Sequence, residues 1–556
     1  MADPSKCLHH LHVLQRLHNA LNMGGFPSFV LKPLQIKCFE HILNGFDVVA
    51  VLPTGFGKSL LFQLLPNFLP TKADKNIVIV VCPLNAIIED QLKVAKNIGI
   101  EAEVLQLVDH RMKVAESLFK SDEMTAESDD VGVLLSDKML NGDVQLLFTH
   151  PEALLSEKGR NLMKSTVFQR NVVACVVDEA HCVEMWGDEF RKDFGNLSIV
   201  RAFFPKTPFL ALTATAPPHM LSNLKNSMNF NSSCKDVSAN PNRRNIFLQK
   251  KMRTSNQHIY ESYSNILLPI ANQLSVELES YPMTVIYMKL KYCGYAYGLF
   301  ERVLKEKQYV GESKDSVARL FAQFHAPQTN EMKKTIISEV KKQNSRIRVI
   351  FATSALGMGV NAPNIVHVIH ITPPSSIESY VQEIGRAGRS GHLASATLYY
   401  NNSDVSDNVK HVDKSMKEYC LSQETCLRQL LLNYLGFSCV TQERCCCVCE
   451  ESYPTAICNE SMQIREKVRF LPTTNIVILE KLILKELYQN GVDCSKSPSL
   501  MLMESQIPCC ENSLKKIMTE IEYIGVETDL LDTCGIWNEE CSSKVFSLIS
   551  TYAPLR

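Results

Sequence analysis

The chain has 556 residues, of which 45% are hydrophobic and 21% are charged. This composition excludes a disordered or collagen-like chain, and the length indicates about three to four domains with ordinary cores. The 58 Lys and Arg residues against 59 Asp and Glu residues leave a formal net charge of -1. The chain therefore has no overall positive field, and any contact with nucleic acid must come from a local groove.

The apolar segments of the chain are short. The first residues lack the charged segment and long apolar stretch of a secretion signal, so we expect no export. Residues 76–82 and 347–352 are typical of the apolar runs, which are far shorter than the roughly 20 residues of a membrane span. We expect a soluble chain in a reducing compartment, in which these runs form buried strands.

The apolar runs alternate with amphipathic segments of helical length, a pattern that predicts βαβ units and a parallel sheet. The first series of runs comprises residues 47–52, 76–82, 144–149, 172–177 and 209–213. The second series comprises residues 284–288, 348–352, 366–370 and 396–400. We therefore predict an α/β fold with two lobes in tandem, residues 1–240 and 241–410. Residues 240–251, with turn formers and a basic cluster, are predicted to be a linker whose cations contact phosphate or solvent.

A glycine-rich segment follows the first strand and precedes a helical pattern. Its sequence is Thr54, Gly55, Phe56, Gly57, Lys58 and Ser59. Glycines allow backbone N–H groups to curl around phosphate, Lys58 supplies a positive charge, and Ser59 offers a hydroxyl to Mg²⁺. The pattern predicts a nucleotide-binding loop, and the alternative is an ordinary glycine-rich turn.

An acidic pair, Asp178 and Glu179, follows the buried run 172–177. Ligands of open α/β sheets bind at the carboxyl ends of the strands. Asp178 is placed there to hold Mg²⁺, and Glu179 to polarise the water that attacks the γ-phosphate. The alternative is a helix N-terminus with favourable acids. Because both motifs occur on separate strands and in this order, they together favour hydrolysis of a nucleoside triphosphate.

Two arginines, Arg386 and Arg389, are spaced i, i+3 in the second half of the chain. On a helical segment they would present adjacent guanidinium groups, whose planar forks suit phosphoryl oxygens. An arginine supplied across a cleft can raise the rate of phosphoryl transfer about 10³–10⁵-fold. For Arg386 a structural ion pair remains an alternative.

These motifs resemble those of the RecQ-like DNA helicases, within the superfamily-2 helicases, from about residue 34 to residue 449. The resemblance implies two RecA-like lobes of the P-loop NTPase type, ATP with Mg²⁺ between them, adenine recognition by Gln35, and Arg389 as the arginine finger. It also implies that the motifs around Asp90, Gln91 and His150 contact DNA backbone. The motif with His181, Thr213 and Thr215 would couple hydrolysis to movement of the lobes.

The segment after the acidic pair resembles the aromatic-rich loop of that family. Trp186, Phe190 and Phe194 recur at i, i+4, i+8, a spacing that by itself favours a core stripe. The resemblance implies stacking on single-stranded DNA by Trp186, with Arg191 beside it and Phe190 and Phe194 as further candidates. The sequence departs from the family at Glu184-Met185, and again where Lys289 and Lys291 replace a Ser-Arg pair.

Cysteines are concentrated late in the chain, with eight of the 20 between residues 420 and 458. This region resembles the zinc-binding domain of RecQ-like helicases, and we assign Zn²⁺ to Cys426, Cys439, Cys446 and Cys449, with Cys445 or Cys447 as a substitute for one of them. We predict a zinc module at residues 411–458. Residues 459–556 would then form a winged-helix-like or plain helical domain, with helices at 474–490 and 511–524.

The resemblance implies an ATP-dependent DNA helicase that moves 3′ to 5′ on single-stranded DNA and unwinds forked DNA, in the nucleus of a eukaryote or otherwise in the cytoplasm. One alternative is a DNA-stimulated ATPase or translocase that does not unwind. Another is a scaffold that keeps the helicase fold for protein contacts, against which the intact Lys58, Asp178, Glu179 and Arg389 argue.

Overall fold

The computed structural model describes residues 4–25, 31–71, 75–109, 131–186, 192–254, 258–311, 318–357, 362, 364–438, 445–450, 475–490 and 539–554, together with residues 514, 517, 518, 521, 524 and 530. Two further features predicted from sequence, an acidic surface loop at residues 121–130 and a short hairpin at residues 526–537, lie outside the described residues except for residue 530. Within these ranges no helix is long and apolar enough to cross a membrane.

The first lobe is built on a seven-stranded parallel sheet in the order β3-β6-β2-β7-β8-β1-β9. Its central strands are fully buried runs rich in valine and isoleucine, because helices cover both faces of a parallel sheet. The strands are β1 (Val48–Val51), β2 (Ile77–Val81), β3 (Ala102–Leu105), β6 (Leu146–Thr149), β7 (Val172–Val177), β8 (Phe209–Thr213) and β9 (Lys235–Ser238), and a separate antiparallel pair comprises β4 (Leu107–Asp109) and β5 (Val131–Val133).

Helices of the first lobe pack on the two faces of this sheet in two apolar clusters. They are α1 (Pro4–Met23), α2 (Pro33–Leu43), α3 (Lys58–Phe68), α4 (Asn85–Asn97), α5 (Asp137–Asn141), α6 (Pro151–Leu155), α7 (Glu157–Lys164), α8 (Thr166–Asn171), α9 (Cys182–Trp186), α10 (Lys192–Gly195), α11 (Ile199–Phe203) and α12 (Pro218–Ser227). Helix α1 packs against α3, where Arg16 donates two hydrogen bonds to the carbonyl of Phe68 at 2.9 and 2.7 Å.

The second lobe is built on a six-stranded parallel sheet in the order β10-β15-β14-β11-β13-β12. Its strands are β10 (Ile246–Met252), β11 (Thr284–Tyr287), β12 (Phe321–Phe324), β13 (Val349–Ala352), β14 (His367–His370) and β15 (Ala394–Tyr400). Its helices are α13 (Ile259–Glu277), α14 (Leu290–Leu304), α15 (Asn330–Val340) and α16 (Ile377–Ile384), with 3-10 turns at Leu278–Ser280, Lys305–Gln308 and Ser354–Gly357. The predicted α/β architecture with two tandem lobes is confirmed.

The predicted linker at residues 240–251 is wrong in its second half. Residues 246–252 form β10, an edge strand that pairs in parallel with β15. Its first residues alternate between buried and half-buried, and its last two, Lys251 and Met252, are exposed. The connection between the two sheets therefore runs only from the end of β9 at Ser238 to Ile246.

The cysteine-rich region packs on the second lobe. Its helices are α17 (Lys414–Leu421), α18 (Leu427–Tyr434) and α19 (Cys447–Glu450), and their apolar side chains join the cluster that covers one face of the second sheet. Leu248 of β10 donates its N–H to the carbonyl of Cys445 at 3.3 Å. The strand thus ties the cysteines to the sheet.

The described C-terminal residues form a separate apolar cluster. Helix α20 (Ile476–Asn490), predicted at residues 474–490, packs against α21 (Glu539–Tyr552). Residues 514, 517, 518 and 521 contribute buried or half-buried side chains from the second predicted helix, most of which lies outside the described residues. Whether this region is a winged helix stays a prediction.

Candidate nucleotide site and cysteine cluster

The candidate site of the first lobe lies where three neighbouring strands end. The glycine-rich segment follows β1, the acidic pair follows β7, and Thr213 ends β8. In the sheet these strands are adjacent, in the order β7-β8-β1, and all are parallel. Their carboxyl ends therefore meet at one edge, the location at which open α/β sheets bind ligands.

The glycine-rich segment is a tight loop. Gly55 and Gly57 have φ values of 83° and 93°, in the left-handed region that glycine adopts without strain. Helix α3 begins at Lys58, directly after Gly57, so its N-terminal N–H groups face the loop. A Cβ atom on Gly57 would lie 2.7 Å from Nε2 of Gln35. This conformation suits an anion-binding loop at a helix N-terminus.

Gln35 is fully buried against this loop. Its Nε2 donates to the carbonyls of Gly57 at 3.0 Å and Phe56 at 3.3 Å, and its Oε1 accepts from the N–H of Lys32 at 2.9 Å. Nζ of Lys32 also lies 4.2 Å from the centre of the Phe56 ring, a cation–π contact. In this arrangement Gln35 fixes the loop, and adenine recognition by its amide stays a prediction.

The two polar side chains of the loop have protein partners. Nζ of Lys58 donates to the carbonyl of Leu52 at 3.1 Å, which places the ammonium group inside the curve of the loop. Oγ of Ser59 accepts from Nε2 of Gln91 at 3.2 Å, and Gln91 accepts in turn from Gln63 at 2.8 Å. Sequence analysis assigned Gln91 to a DNA-contacting motif, whereas the structure places it against the hydroxyl proposed to bind Mg²⁺.

The acidic pair is buried and tightly turned. Asp178 is 6% exposed and accepts the N–H of Glu179 at 3.0 Å, and Glu179 has a left-handed φ of 48°. Burial, together with the charge of Glu179, raises the pKa of Asp178 to about 7, against the opposing charge of Lys58. A divalent cation would favour the ionised carboxylate, so this aspartate fits a metal-binding role.

His181 joins the acidic pair to the end of β8. Its Nδ1 lies 3.1 Å from Oγ1 of Thr213 and 3.4 Å from Oε2 of Glu179. Because the Thr213 hydroxyl donates its proton to the carbonyl of Thr215 at 3.0 Å, it accepts from His181, which fixes the Nδ1–H tautomer. Burial lowers the pKa of His181, so the ring is neutral at pH 7. The three predicted coupling residues are therefore connected.

A cavity separates this edge from the second lobe. Its first-lobe wall includes Thr54 and Thr215, and its second-lobe wall includes Gln382 and Gly385 of the segment that carries the arginines. Arg386 is buried, and burial together with the charges of Arg386 and Arg243 lowers the pKa of Arg389 to about 10, so that Arg389 stays cationic at neutral pH.

The two arginines do not lie on a helix, contrary to the sequence interpretation. Helix α16 ends at Ile384, and residues 385–390 form turns. Gly388 has a φ of 59°, which a right-handed helix cannot accommodate, and a Cβ there would lie 2.3 Å from Nδ2 of Asn245. The arginine turn, as we call residues 385–391, is therefore shaped by its glycines.

The aromatic segment is only partly described. Helix α9 ends at Trp186, and residues 187–191, with Phe190 and Arg191, lie outside the described residues. Phe194 is fully buried in the core of the first lobe, so its assignment as a DNA-contacting residue is wrong for this conformation. The altered Glu184 accepts a hydrogen bond from Ser227 of α12 at 2.9 Å. This acid fixes α9 to the lobe.

Four thiols meet at the junction of α18 and α19. The Sγ atoms of Cys426, Cys445, Cys446 and Cys449 all lie within 4.8 Å of one another. Four of the Sγ–Sγ distances are 3.3 Å (Cys426 to Cys445), 3.7 Å (Cys445 to Cys449), 3.8 Å (Cys426 to Cys446) and 3.6 Å (Cys446 to Cys449). Four sulfurs at about 2.3 Å from a tetrahedral zinc are about 3.8 Å apart.

This cluster fits the predicted zinc site with one change of ligand. Cys445 occupies the place that sequence analysis gave to Cys439, which lies outside the described residues. The N–H of Leu427 donates to Sγ of Cys446 at 3.4 Å. Hydrogen bonds from the Cys426 and Cys445 thiols, and this N–H, lower the pKa of Cys446, as a thiolate ligand requires.

Comparisons with known proteins agree with this geometry. Residues 32–224 match the DEAD/DEAH box helicase family, and residues 293–391 match the helicase conserved C-terminal domain. The chain is 28% identical to ATP-dependent DNA helicase Q1 of Pongo abelii over 413 residues, which cover 72% of this chain and 57% of that protein. It is 27% identical to ATP-dependent DNA helicase RecQ of Haemophilus influenzae over 427 residues, 74% of this chain and 60% of that one.

Among solved structures, the DUF1998 helicase MrfA bound to DNA and AMPPNP superposes with a TM-score of 0.53 over 76% of this chain and 53% of that one, at 17% identity. Each lobe thus carries a match to a helicase family model, the first to the DEAD/DEAH box helicases and the second to the helicase conserved C-terminal domain. The chain is similar to RecQ-type DNA helicases, at 27–28% identity over most of its length. It spans less than two thirds of the length of the Q1 and RecQ relatives.

The raised pKa of Asp178 predicts that ionisation of this side chain lowers the free energy of unfolding. Asp178 holds its proton in the folded state up to about pH 7, whereas the unfolded side chain loses it near the ordinary aspartate pKa of 3.8. Stability from this group is therefore present at low pH and is lost as the pH rises from about 4 to 7. Without Mg²⁺ or nucleotide, we expect Asp178→Asn to raise the thermal midpoint at pH 8 and to raise it less at pH 5. An equal or lower midpoint at pH 8 would contradict this.

The cysteine cluster predicts which thiols retain zinc. We expect Cys445→Ser to lower bound zinc from about one equivalent to a small fraction, because one of four ligands is lost. Cys447→Ser is the matched control, since Cys447 lies outside the cluster, and Cys439→Ser is expected to keep its zinc. Mass spectrometry of the metal in purified protein measures this. Zinc loss in Cys439→Ser with retention in Cys445→Ser would restore the assignment made from sequence.

Proposed function

We propose that the chain is an ATP-dependent DNA helicase of the RecQ type, which hydrolyses ATP to move along single-stranded DNA and to unwind forked duplexes. One observation carries the proposal. The phosphate loop, the acidic pair and Thr213 lie at the ends of adjacent strands, and beside them a cavity is lined by Thr54 and Thr215 of the first lobe and by Gly385, the first residue of the arginine turn. The names of the Q1 and RecQ relatives support DNA as the nucleic acid.

In this proposal the chain holds ATP between its lobes. The loop N–H groups and Lys58 bind the phosphates, and Ser59 and Asp178 would hold Mg²⁺, which neutralises phosphate charge. Glu179 orients the attacking water, since its Oε2 is buried without a hydrogen-bond partner among the described residues. Arg389, with Arg386 beside it, stabilises the charge that develops on the transferred phosphoryl group.

The path from hydrolysis to movement runs through His181. Its Nδ1–H lies between the carboxylate of Glu179 and the hydroxyl of Thr213, and Thr213 bonds to Thr215 beside the cavity. A shift of Glu179 on loss of the γ-phosphate would thus change the hydrogen bonds at the wall that faces the second lobe. We propose this chain of contacts as the coupling route.

Domain limits of 1–240, 241–410, 411–458 and 459–556 remain our proposal, as does action in the nucleus if the host is a eukaryote. The end of β9 at Ser238 and the start of β10 at Ile246 support the first limit. The zinc module shares an apolar cluster with the second lobe, so we expect the two to fold as one unit.

The first test is steady-state ATP hydrolysis with and without single-stranded DNA. We expect stimulation by DNA, and a loss of kcat of about 10²–10³-fold in Lys58→Ala and in Glu179→Gln, because each removes a charge or a base that acts on the transition state. Lys75→Ala and Glu101→Gln are matched controls, since both residues form exposed ion pairs, with Asp143 and Lys138 respectively. Turnover that survives Lys58→Ala would exclude this site as its source.

A second candidate function is a DNA-stimulated ATPase that does not unwind. Lys289 and Lys291 favour it, because they are exposed at the end of β11 where the resemblance implies a Ser-Arg pair. An ammonium group cannot make the bidentate contact of a guanidinium group.

A forked duplex separates the two functions. We expect the protein to release the labelled strand with ATP, from substrates with a 3′ tail and not from those with a 5′ tail, and Lys58→Ala to release none. ATP hydrolysis is measured in the same tubes. Hydrolysis without strand release, at protein in excess over DNA, would select the translocase.

A further inference from the structure

The connection between the lobes contains an arginine that contacts the arginine turn. From Arg243, Nη2 donates to the carbonyls of Gly388 at 2.8 Å and Ala387 at 3.2 Å, and Nη1 lies 3.4 Å from the carbonyl of Gly385. From the sequence, the basic cluster that includes Arg243 is predicted to contact phosphate or solvent. Burial lowers the pKa of Arg243, and its charge is committed instead to three carbonyls of one turn.

Asn245 holds the same turn from the other side. Its Nδ2 donates to the carbonyls of Gly388 at 2.8 Å and His392 at 2.7 Å, and its carbonyl accepts the N–H of Ala394 at 2.8 Å. The carbonyl of Gly388 therefore accepts from two side chains of the connection. These bonds fix the peptide group before Arg386 and the two peptide groups that follow Ala387 and Gly388, the second of which immediately precedes Arg389.

The connection itself is clamped to the second lobe and the cysteine module by Arg428. This buried side chain donates to Oδ1 of Asn242 at 2.9 Å and to the carbonyls of Arg243 at 2.8 Å and Cys445 at 3.3 Å, and it also donates to the carbonyl of Ile246. On the other side, the N–H of Ala239 donates to the carbonyl of Val51 in the first sheet at 2.9 Å.

These contacts leave only Asn240 and Pro241 between a residue bonded to the first lobe and a residue bonded to the second. Rotation of the lobes must be absorbed mainly by the backbone of these two residues, which only Asn242 separates from Arg243. Arg243, which holds the arginine turn, thus lies beside the pivot in the connection between β9 and β10, and not in a helix or strand of the second lobe.

We propose that Arg243 is a positioning residue, which holds the arginine turn so that Arg389 meets the transferred phosphoryl group when the lobes close about the 240–241 pivot. The inference rests on the proposed ATP hydrolysis. It goes further by assigning the alignment of Arg389 to the interlobe connection. Because hydrolysis depends steeply on the placement of the charge, a shift of about 1 Å in the turn is expected to cost up to about 10²-fold.

The test is ATP turnover, with DNA, by Arg243→Gln in the full chain. We expect kcat to fall about 10- to 100-fold while KM for ATP changes less than about threefold, since binding in the ground state does not need the aligned arginine. Arg243→Lys should recover part of kcat, because one ammonium group replaces only part of a two-nitrogen fork. Arg244→Gln, at the exposed neighbouring arginine, is the matched control and should keep wild-type kcat.

A double variant separates positioning from a general structural role. If Arg243 acts through Arg389, then Arg389→Ala combined with Arg243→Gln should be no slower than Arg389→Ala alone. Multiplying losses, or an equal kcat in Arg243→Gln and wild type, would overturn the inference. Thermal midpoint and zinc content, measured on each variant, must match wild type, and a variant that fails them is replaced by Arg243→Lys in the same cycle. If wild type itself shows no turnover that depends on Lys58, the proposed function fails first.

Discussion

The parallel order of β7, β8 and β1 is the constraint on which the candidate site depends. Each strand delivers one motif at its carboxyl end, and hydrogen bonds between the strands hold these ends about 5 Å apart. An acid suited to a cation, a loop suited to an anion and a threonine bonded to His181 therefore come together at one edge. The remaining features of the first lobe serve this edge, including Gln35, which fixes the loop, and Gln91, which fixes Ser59.

Burial of acidic side chains suits the site to a cation, and in the absence of a cation the same burial lowers the stability of the folded chain. Asp178 is buried beside Glu179, and burial and the charge of Glu179 oppose ionisation of Asp178, so the pKa of Asp178 rises to about 7. Glu179 also adopts a left-handed φ, which costs of order 1 kcal/mol for a residue with a side chain. Such local costs are typical of active sites, where a cation and phosphates offset them. In the second lobe, burial and the charges of Arg386 and Arg243 lower the pKa of Arg389, and a bound anion would offset both effects.

Much of the fold and of the first-lobe site could be predicted from sequence because both depend on local patterns. Buried strands such as β7 and β8 are continuous apolar runs whose limits are visible in the chain. The strands that escaped prediction, such as β9 and β10, lie at sheet edges, where half of the side chains face solvent and the pattern is weak. The helical placement of Arg386 and Arg389 failed because Gly388 requires a turn. For Phe194 the aromatic spacing favours the core position that the structure shows, and the DNA contact came only from the resemblance.

Arg243 and Arg428 could not be assigned from sequence, and Cys445 could be named only as a substitute zinc ligand, because these roles depend on contacts between distant parts of the chain. Arg428 lies 185 residues from Arg243, yet it bonds to the carbonyl of Arg243, to Asn242 and to the carbonyl of Cys445. This one buried guanidinium connects three parts of the protein. It bonds to the cysteine cluster and to the interlobe connection, and through Arg243 it is linked to the arginine turn. Five donors in a fixed plane allow such a junction, whereas a lysine could reach one or two of these carbonyls. The thiol cluster therefore does more than stabilise its own module. The carbonyl of Cys445 accepts from Arg428, and Arg428 in turn holds Asn242 and Arg243 next to the proposed pivot between the lobes.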